Sequence, residues 1–167
     1  MILSGAQVLQ ALGAGPALSF AAPLEDAVPR EGPGIYTVWD DTGRFLYVGI
    51  AGTGGGKGGL LVRLASHAAG RRFNDPFCVL VADRLVLPLL TEPERAAIAD
   101  GRQSFDALIR AHIRRHLSCR WVLTGTPEAA RGWEASLRRG AWDHGAPLLN
   151  SASPVRTSRE ERDPGML

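Results

Sequence analysis

The chain is poor in cysteine and has no long apolar run. Cys78 and Cys119 are its only cysteines. They lie far apart and outside any Cys-x-x-Cys spacing, so neither a disulfide framework nor a zinc pattern is indicated. Each sits in an apolar stretch, Phe77–Val81 or Cys119–Leu123, and reads as a small buried hydrophobe. No segment approaches the roughly 18 apolar residues of a membrane-spanning helix. Met1–Pro23 is small and apolar, but the first basic residue is Arg30, so the charged start of a secretory signal is missing. These absences lead us to expect a cytoplasmic protein with no membrane partner. An excess of either charge is lacking too. The 19 Lys+Arg stand against 17 Asp+Glu, a net charge of +2, which by itself announces no nucleic-acid partner. With 45% hydrophobic and 22% charged residues in 167, wholesale disorder is excluded and one domain with a real core is expected.

The distribution of charge says more than its sum. From Gly54 to Phe73 the chain carries Lys57, Arg63, Arg71 and Arg72 and no acid, and from Ala107 to Pro127 it carries Arg110, Arg114, Arg115 and Arg120 with His112 and His116, again without an acid. Clustered positive charge suits a phosphate-binding surface. Two solvated helix faces would look the same.

Along the chain, Ser4 caps a short amphipathic helix that Gly13, Gly15 and Pro16 end, and Leu24–Pro33 reads as a polar linker. Gly34–Trp39 and Phe45–Ile50 are β-rich, and the Asp40-Asp41-Thr42-Gly43 turn between them predicts an antiparallel hairpin. A Gly-rich loop, Ala51–Gly59, leads to a helix from Leu60 to Ala69. Phe77–Val81 and Leu85–Leu87 suit buried strands, with helix the alternative at this length. Further helices are expected over Glu92–Ala99, Phe105–Leu117 and Pro127–Arg139, with a strand at Arg120–Thr124. The fold class is α+β: a small, mostly antiparallel, three-stranded or extended sheet flanked by helices. The organisation is an N-terminal helix and linker (1–33), a main domain (34–150) with an insert at about 74–101, and a mobile polar tail (151–167).

Gly34-Ile35-Tyr36 on one strand and Tyr47-Val48-Gly49 on the next resemble the paired tripeptides of the GIY-YIG endonuclease family. Arg63 and His67 on the following helix, Glu134 on a late helix and Asn150 beyond it match that family's Arg, His, Glu and Asn in order and setting. Val48 stands where the family has Ile. The resemblance covers Gly34–Asn150 and implies a metal-dependent endonuclease that hydrolyses a nucleic-acid phosphodiester, with DNA the expected substrate. Its catalytic residues would be Tyr36, Tyr47, Arg63, His67, Glu134 and Asn150. Tyr36 would activate the water with His67 assisting, and Glu134 would hold Mg²⁺ or Mn²⁺. Gly49, Lys57, Arg71, Arg72, Arg114 and Arg115 are the expected substrate contacts.

The residue types fit that chemistry independently. Arg63 and His67 at i, i+4 project from one helix face. A guanidinium can fork onto two phosphate oxygens. A carboxylate such as Glu134 is the hard ligand Mg²⁺ takes. Tyrosine is a poor base unless nearby positive charge lowers its pKa. Asn150 would orient neighbours or the phosphate, and Gly49 would allow close backbone approach. Taken singly, each residue also has an ordinary explanation as a hairpin aromatic, an exposed helix charge or a turn residue; six in order on the expected elements are harder to explain so. Two rivals are a non-catalytic nucleic-acid-binding module on the same fold and an RNA-directed nuclease. Either sequence specificity is low, or it comes from the insert, a homodimer or a partner. The Gly54–Gly58 run lacks the full P-loop pattern, since Gly58 follows Lys57 where Ser or Thr is needed. His112 and His116 have zinc-ligand spacing, but Ile113 stands where a zinc protease has Glu.

Overall fold

The computed structural model describes residues 3–54 and 58–150. Lys57 and the tail expected to be mobile lie outside the described residues. Ser4 closes a capping box with Gln7 and starts α1, Gly5–Ala14. Leu18–Ser19 forms a two-residue strand, β1. The predicted hairpin follows as β2, Gly34–Asp40, and β3, Phe45–Ala51. Next come α2 (Leu60–Ala68), α3 (Pro76–Val81), α4 (Glu92–Ala99) and α5 (Phe105–His116). The last of these runs directly into β4, Leu117–Leu123, and α6, Pro127–Arg138, completes the order.

The sheet is antiparallel with strand order β1-β4-β2-β3. It is thus α+β as expected, with a fourth strand, β1, that two residues were too few to announce in the sequence. Tyr36 lies opposite Gly49, and Val38 opposite Tyr47. A bulge between Val38 and Trp39 then pairs Trp39 with Phe45 and leaves Leu46 extra. Burial along β2 is almost unbroken because helices cover both sheet faces. Tyr36, Val38, Leu46, Tyr47 and Cys119 join α2, α3 and α5 in one apolar cluster. Ile35, Trp39, Phe45, Val48 and Val122 join Val8, Leu12 and Leu137 of α1 and α6 in the other. Thr37, buried on that second face, donates to the Leu12 carbonyl (2.8 Å) and accepts from Trp39 Nε1 (2.9 Å), so its burial leaves no polar atom stranded.

Two expectations are corrected. Phe77–Val81 and Leu85–Leu87 are not strands. Asp75 caps the Phe77 amide and Pro76 sits in the first turn, which starts α3, and the chain winds on through a π turn at Ala82–Val86 and a 3-10 turn at Leu87–Leu89. Phe77, Cys78, Val81, Ala82 and Val86 are buried in the first cluster, so the apolar run marked burial and not strand. Leu24–Pro33 is likewise no free linker. With Phe20 before it, Leu24 and Val28 recur every four residues and bury into the same cluster, around a 3-10 turn at Leu24–Asp26. Among the described residues no helix is long and apolar enough to cross a membrane.

Candidate functional site

Leu60, Leu64 and Ala68 dock α2 on the sheet, and His67, one position from Ala68, falls on the same stripe. It is therefore fully buried, whereas Arg63 lies at the border of that face and is half-buried. Gly70 then turns the chain with φ +66, and a Cβ there would meet Arg110 Cα at 2.5 Å. Asn74 follows in the left-handed region with φ 58, a conformation Asn tolerates better than most residues. These turns return Asp75 to the base of α2.

The result is a buried line of three side chains. The Tyr36 hydroxyl lies 2.7 Å from His67 Nε2, and His67 Nδ1 lies 2.7 Å from Asp75 Oδ2. A carboxylate only accepts, so Nδ1 carries the hydrogen and donates it to Asp75. Nε2 is left with a lone pair that accepts from the Tyr36 O–H. Burial lowers the His67 pKa, with Asp75 pulling the other way and Arg63 adding to the fall, and this keeps the imidazole neutral. Burial works to raise the Asp75 pKa, but His67, Arg63 and the Ser66 hydroxyl outweigh it and hold the carboxyl below its ordinary range. Asp75 was not among the sequence-derived candidates. Its only sequence signal is its position before Pro76, that of a helix cap, and capping Phe77 is indeed one of its two tasks.

Arg63 Nε donates to the Tyr36 hydroxyl at 3.4 Å. The two tyrosine rings stack with centroids 6.2 Å apart. Burial, followed by the neighbouring Tyr47, raises the Tyr36 pKa well above that of an ordinary phenol, and Arg63 only partly opposes this. Burial raises the Tyr47 pKa as well. The depressed phenol that water activation by a free phenolate would need is thus absent, and both hydroxyls stay protonated. Gly49 is required by Tyr36 itself. Its Cα lies under the tip of that ring, and a Cβ would stand 2.5 Å from Tyr36 Cζ.

Glu134 approaches from α6, on the other side of the β3 edge. It is half-buried and makes no hydrogen bond or ion pair among the described residues. Burial raises its pKa, with Arg138 and Arg63 opposing. A partly desolvated carboxylate without a partner fits a hard divalent cation that keeps most of its own water. Asn150 acts on the backbone. Its side chain accepts from the Val48 amide (3.1 Å) and donates to the Val48 carbonyl, while its own carbonyl accepts from Arg138 Nε (2.9 Å). It thereby fixes the Tyr47-Val48-Gly49 segment to α6.

Of the expected substrate contacts, Arg71, Arg114 and Arg115 are exposed. Arg72 pairs with Asp106 (2.7 Å) and lies over the Phe105 ring, and Arg114 reaches the Ala21 carbonyl at 3.5 Å. The structure gathers Tyr36, Tyr47, Arg63 and His67 into one cluster with Glu134 in electrostatic reach, whereas Arg114 and Arg115 stand apart on α5. A second grouping, His67, Asp75 and Cys78, sets its ligand atoms within 4.8 Å of one another. It does not suit a metal, because both imidazole nitrogens are engaged and burial pushes the Cys78 thiol up to about 12. Compared with family models, curated proteins and solved structures, the chain finds no match in any of the three.

Proposed function

We propose that the chain is a metal-dependent endonuclease of the GIY-YIG type, cutting a nucleic-acid phosphodiester, with DNA the first substrate to try. The observation that carries the reading is the buried Tyr36–His67–Asp75 line with Arg63 on its hydroxyl end. Neutral His67 is the base of that line. In this reading Arg63 leaves the fully buried hydroxyl as it turns onto the phosphate; Tyr36, so uncovered, takes a proton from the attacking water and passes its own to Nε2, and the imidazolium so formed is stabilised by Asp75. The logic is that of a serine–histidine–aspartate triad with a phenol in place of the serine. The raised tyrosine pKa fits this relay better than a standing phenolate. Arg63 would fork onto the phosphate and offset charge that develops there. Glu134 would hold Mg²⁺ or Mn²⁺, which when bound supplies Lewis-acid polarisation of the phosphodiester.

The test is nicking of supercoiled plasmid with Mg²⁺, Mn²⁺ or EDTA. Metal-dependent nicking is expected, with Glu134→Ala inactive. Tyr36→Phe and Asp75→Asn should each be slowed by about 10²–10⁴-fold. Full activity in Glu134→Ala would sink the metal assignment. A mobility shift without cleavage under any metal would identify a binding module instead, and cleavage of RNA alone would move the substrate class.

A further inference from the structure

The two histidines at zinc-ligand spacing are not part of the nuclease site. His112 and His116 occupy the last turns of α5, with ring centroids 5.0 Å apart. Two imidazoles bound tetrahedrally to one ion, at about 2.05 Å per Zn–N bond, have centres roughly 5 Å apart, so the rings already stand at the ligating separation. Asp41 reaches across from the β2–β3 turn and accepts from His116 Nδ1 at 2.9 Å. A carboxylate on one ring nitrogen is the outer partner that orients zinc-bound imidazoles and leaves the other nitrogen free to ligate. His112 is half-buried and makes no hydrogen bond among the described residues. The C-terminal carbonyls of α5 add negative potential where a cation would sit. Arg44 and Arg84 line the same cleft of about 480 Å³; Arg44 is neutralised by Asp40 at 2.6 Å, and Arg84 donates to the Leu148 carbonyl at 3.0 Å.

We infer that His112 and His116 bind one divalent ion of the zinc class, with Asp41 as the orienting partner and water completing the shell. Imidazole nitrogens select borderline transition metals over Mg²⁺ or Ca²⁺. The ion would tie the end of α5 to the turn of the hairpin that carries both tyrosines. This inference does not rest on the nuclease reading.

Titration calorimetry of the full, untagged chain with Zn²⁺ alone tests it. One ion per chain is expected, weakened at least ~100-fold by His112→Asn and by His116→Asn, and ~10-fold by Asp41→Asn. Glu92→Gln, at an exposed carboxylate of α4 outside both proposed sites, should leave zinc uptake unchanged. Far-UV circular dichroism checks that each variant is folded, and His112→Gln and His116→Gln serve where an Asn variant is not. No zinc uptake, uptake indifferent to both histidines, or dependence on only one of them would each overturn the site.

Discussion

Gly49→Ala adds a single methyl group, and the structure gives its consequence. The new carbon would overlap the Tyr36 hydroxyl and stand 2.5 Å from Cζ and 3.0 Å from Cε1, where ordinary contact begins at 3.4 Å. The ring must retreat by about 1 Å to restore normal packing, yet it is fully buried, with β3 on one side and α2 on the other. Retreat also stretches the 2.7 Å bond to His67 past useful length. Overpacking of this kind costs about 1–3 kcal/mol and loss of a buried hydrogen bond about 1–3 more. We therefore expect Gly49→Ala to lose roughly 2–6 kcal/mol in urea unfolding, a large share of a typical domain's stability. Nicking should fall further than the folded fraction, because molecules that do fold hold the hydroxyl off its base. In a double-mutant cycle with Tyr36→Phe the two losses should be markedly less than additive, since both variants break the same hydrogen bond. A Gly49→Ala protein within ~0.5 kcal/mol of the parent, with the His67 imidazole resonances unmoved, would refute this reasoning and the tight seating of Tyr36 on Gly49.

Two further outcomes can be checked. The His67 pKa in the folded protein is lowered, so its contribution to stability is present above the unfolded value of about 6.5 and is lost as pH falls through the folded one. Urea midpoints should drop on that acid limb, and His67→Gln should shrink the drop, leaving the part that His112, whose pKa burial also lowers, contributes with the same sign; a parent midpoint unchanged between pH 7.5 and 5 would contradict the buried neutral imidazole. Among the basic residues, exposed Arg71 is free of ion pairs among the described residues while Arg72 is paired with Asp106. Arg71→Ala should accordingly weaken DNA binding and lower the salt slope by about 1, with Arg72→Ala doing less; equal effects would show that the Asp106 pairing opens on binding.

The hairpin was legible because its strands are β-rich and its turn carries Asp and Gly. The α2 register was legible because Leu60, Leu64 and Ala68 repeat at helical spacing. The middle of the chain was not. Phe77–Val81 is apolar throughout, and at that length burial looks alike in strand and helix; the cap of Asp75 and the position of Pro76 decided it. Asp75 was missed as a member of the site for a related reason. Its partner His67 belongs to another helix, and only the turns at Gly70 and Asn74 bring the two together. The motif tyrosines could be placed on their strands from sequence, but the direction in which burial moves their pKa depends on α2 and α3 lying over them.

The ties between Leu148–Asn150 and β3 bear on how copies of this chain can meet. Leu148 and Leu149 donate to the Phe45 and Leu46 carbonyls, and Asn150 fills both backbone positions of Val48. Over more than half of its length, the outer edge of β3 is thus already spoken for by a segment that is not itself a strand. At the far side the sheet ends in β1, only two residues long. Most of the β3 margin thus offers no run of free backbone groups for another strand to join, whereas β1 covers β4 only at Ser118 and Cys119 and leaves Arg120–Leu123 without a strand on that side among the described residues. Growth of the sheet from molecule to molecule is opposed along β3, so a second copy that joined by strand pairing would have to do so along the uncovered part of β4.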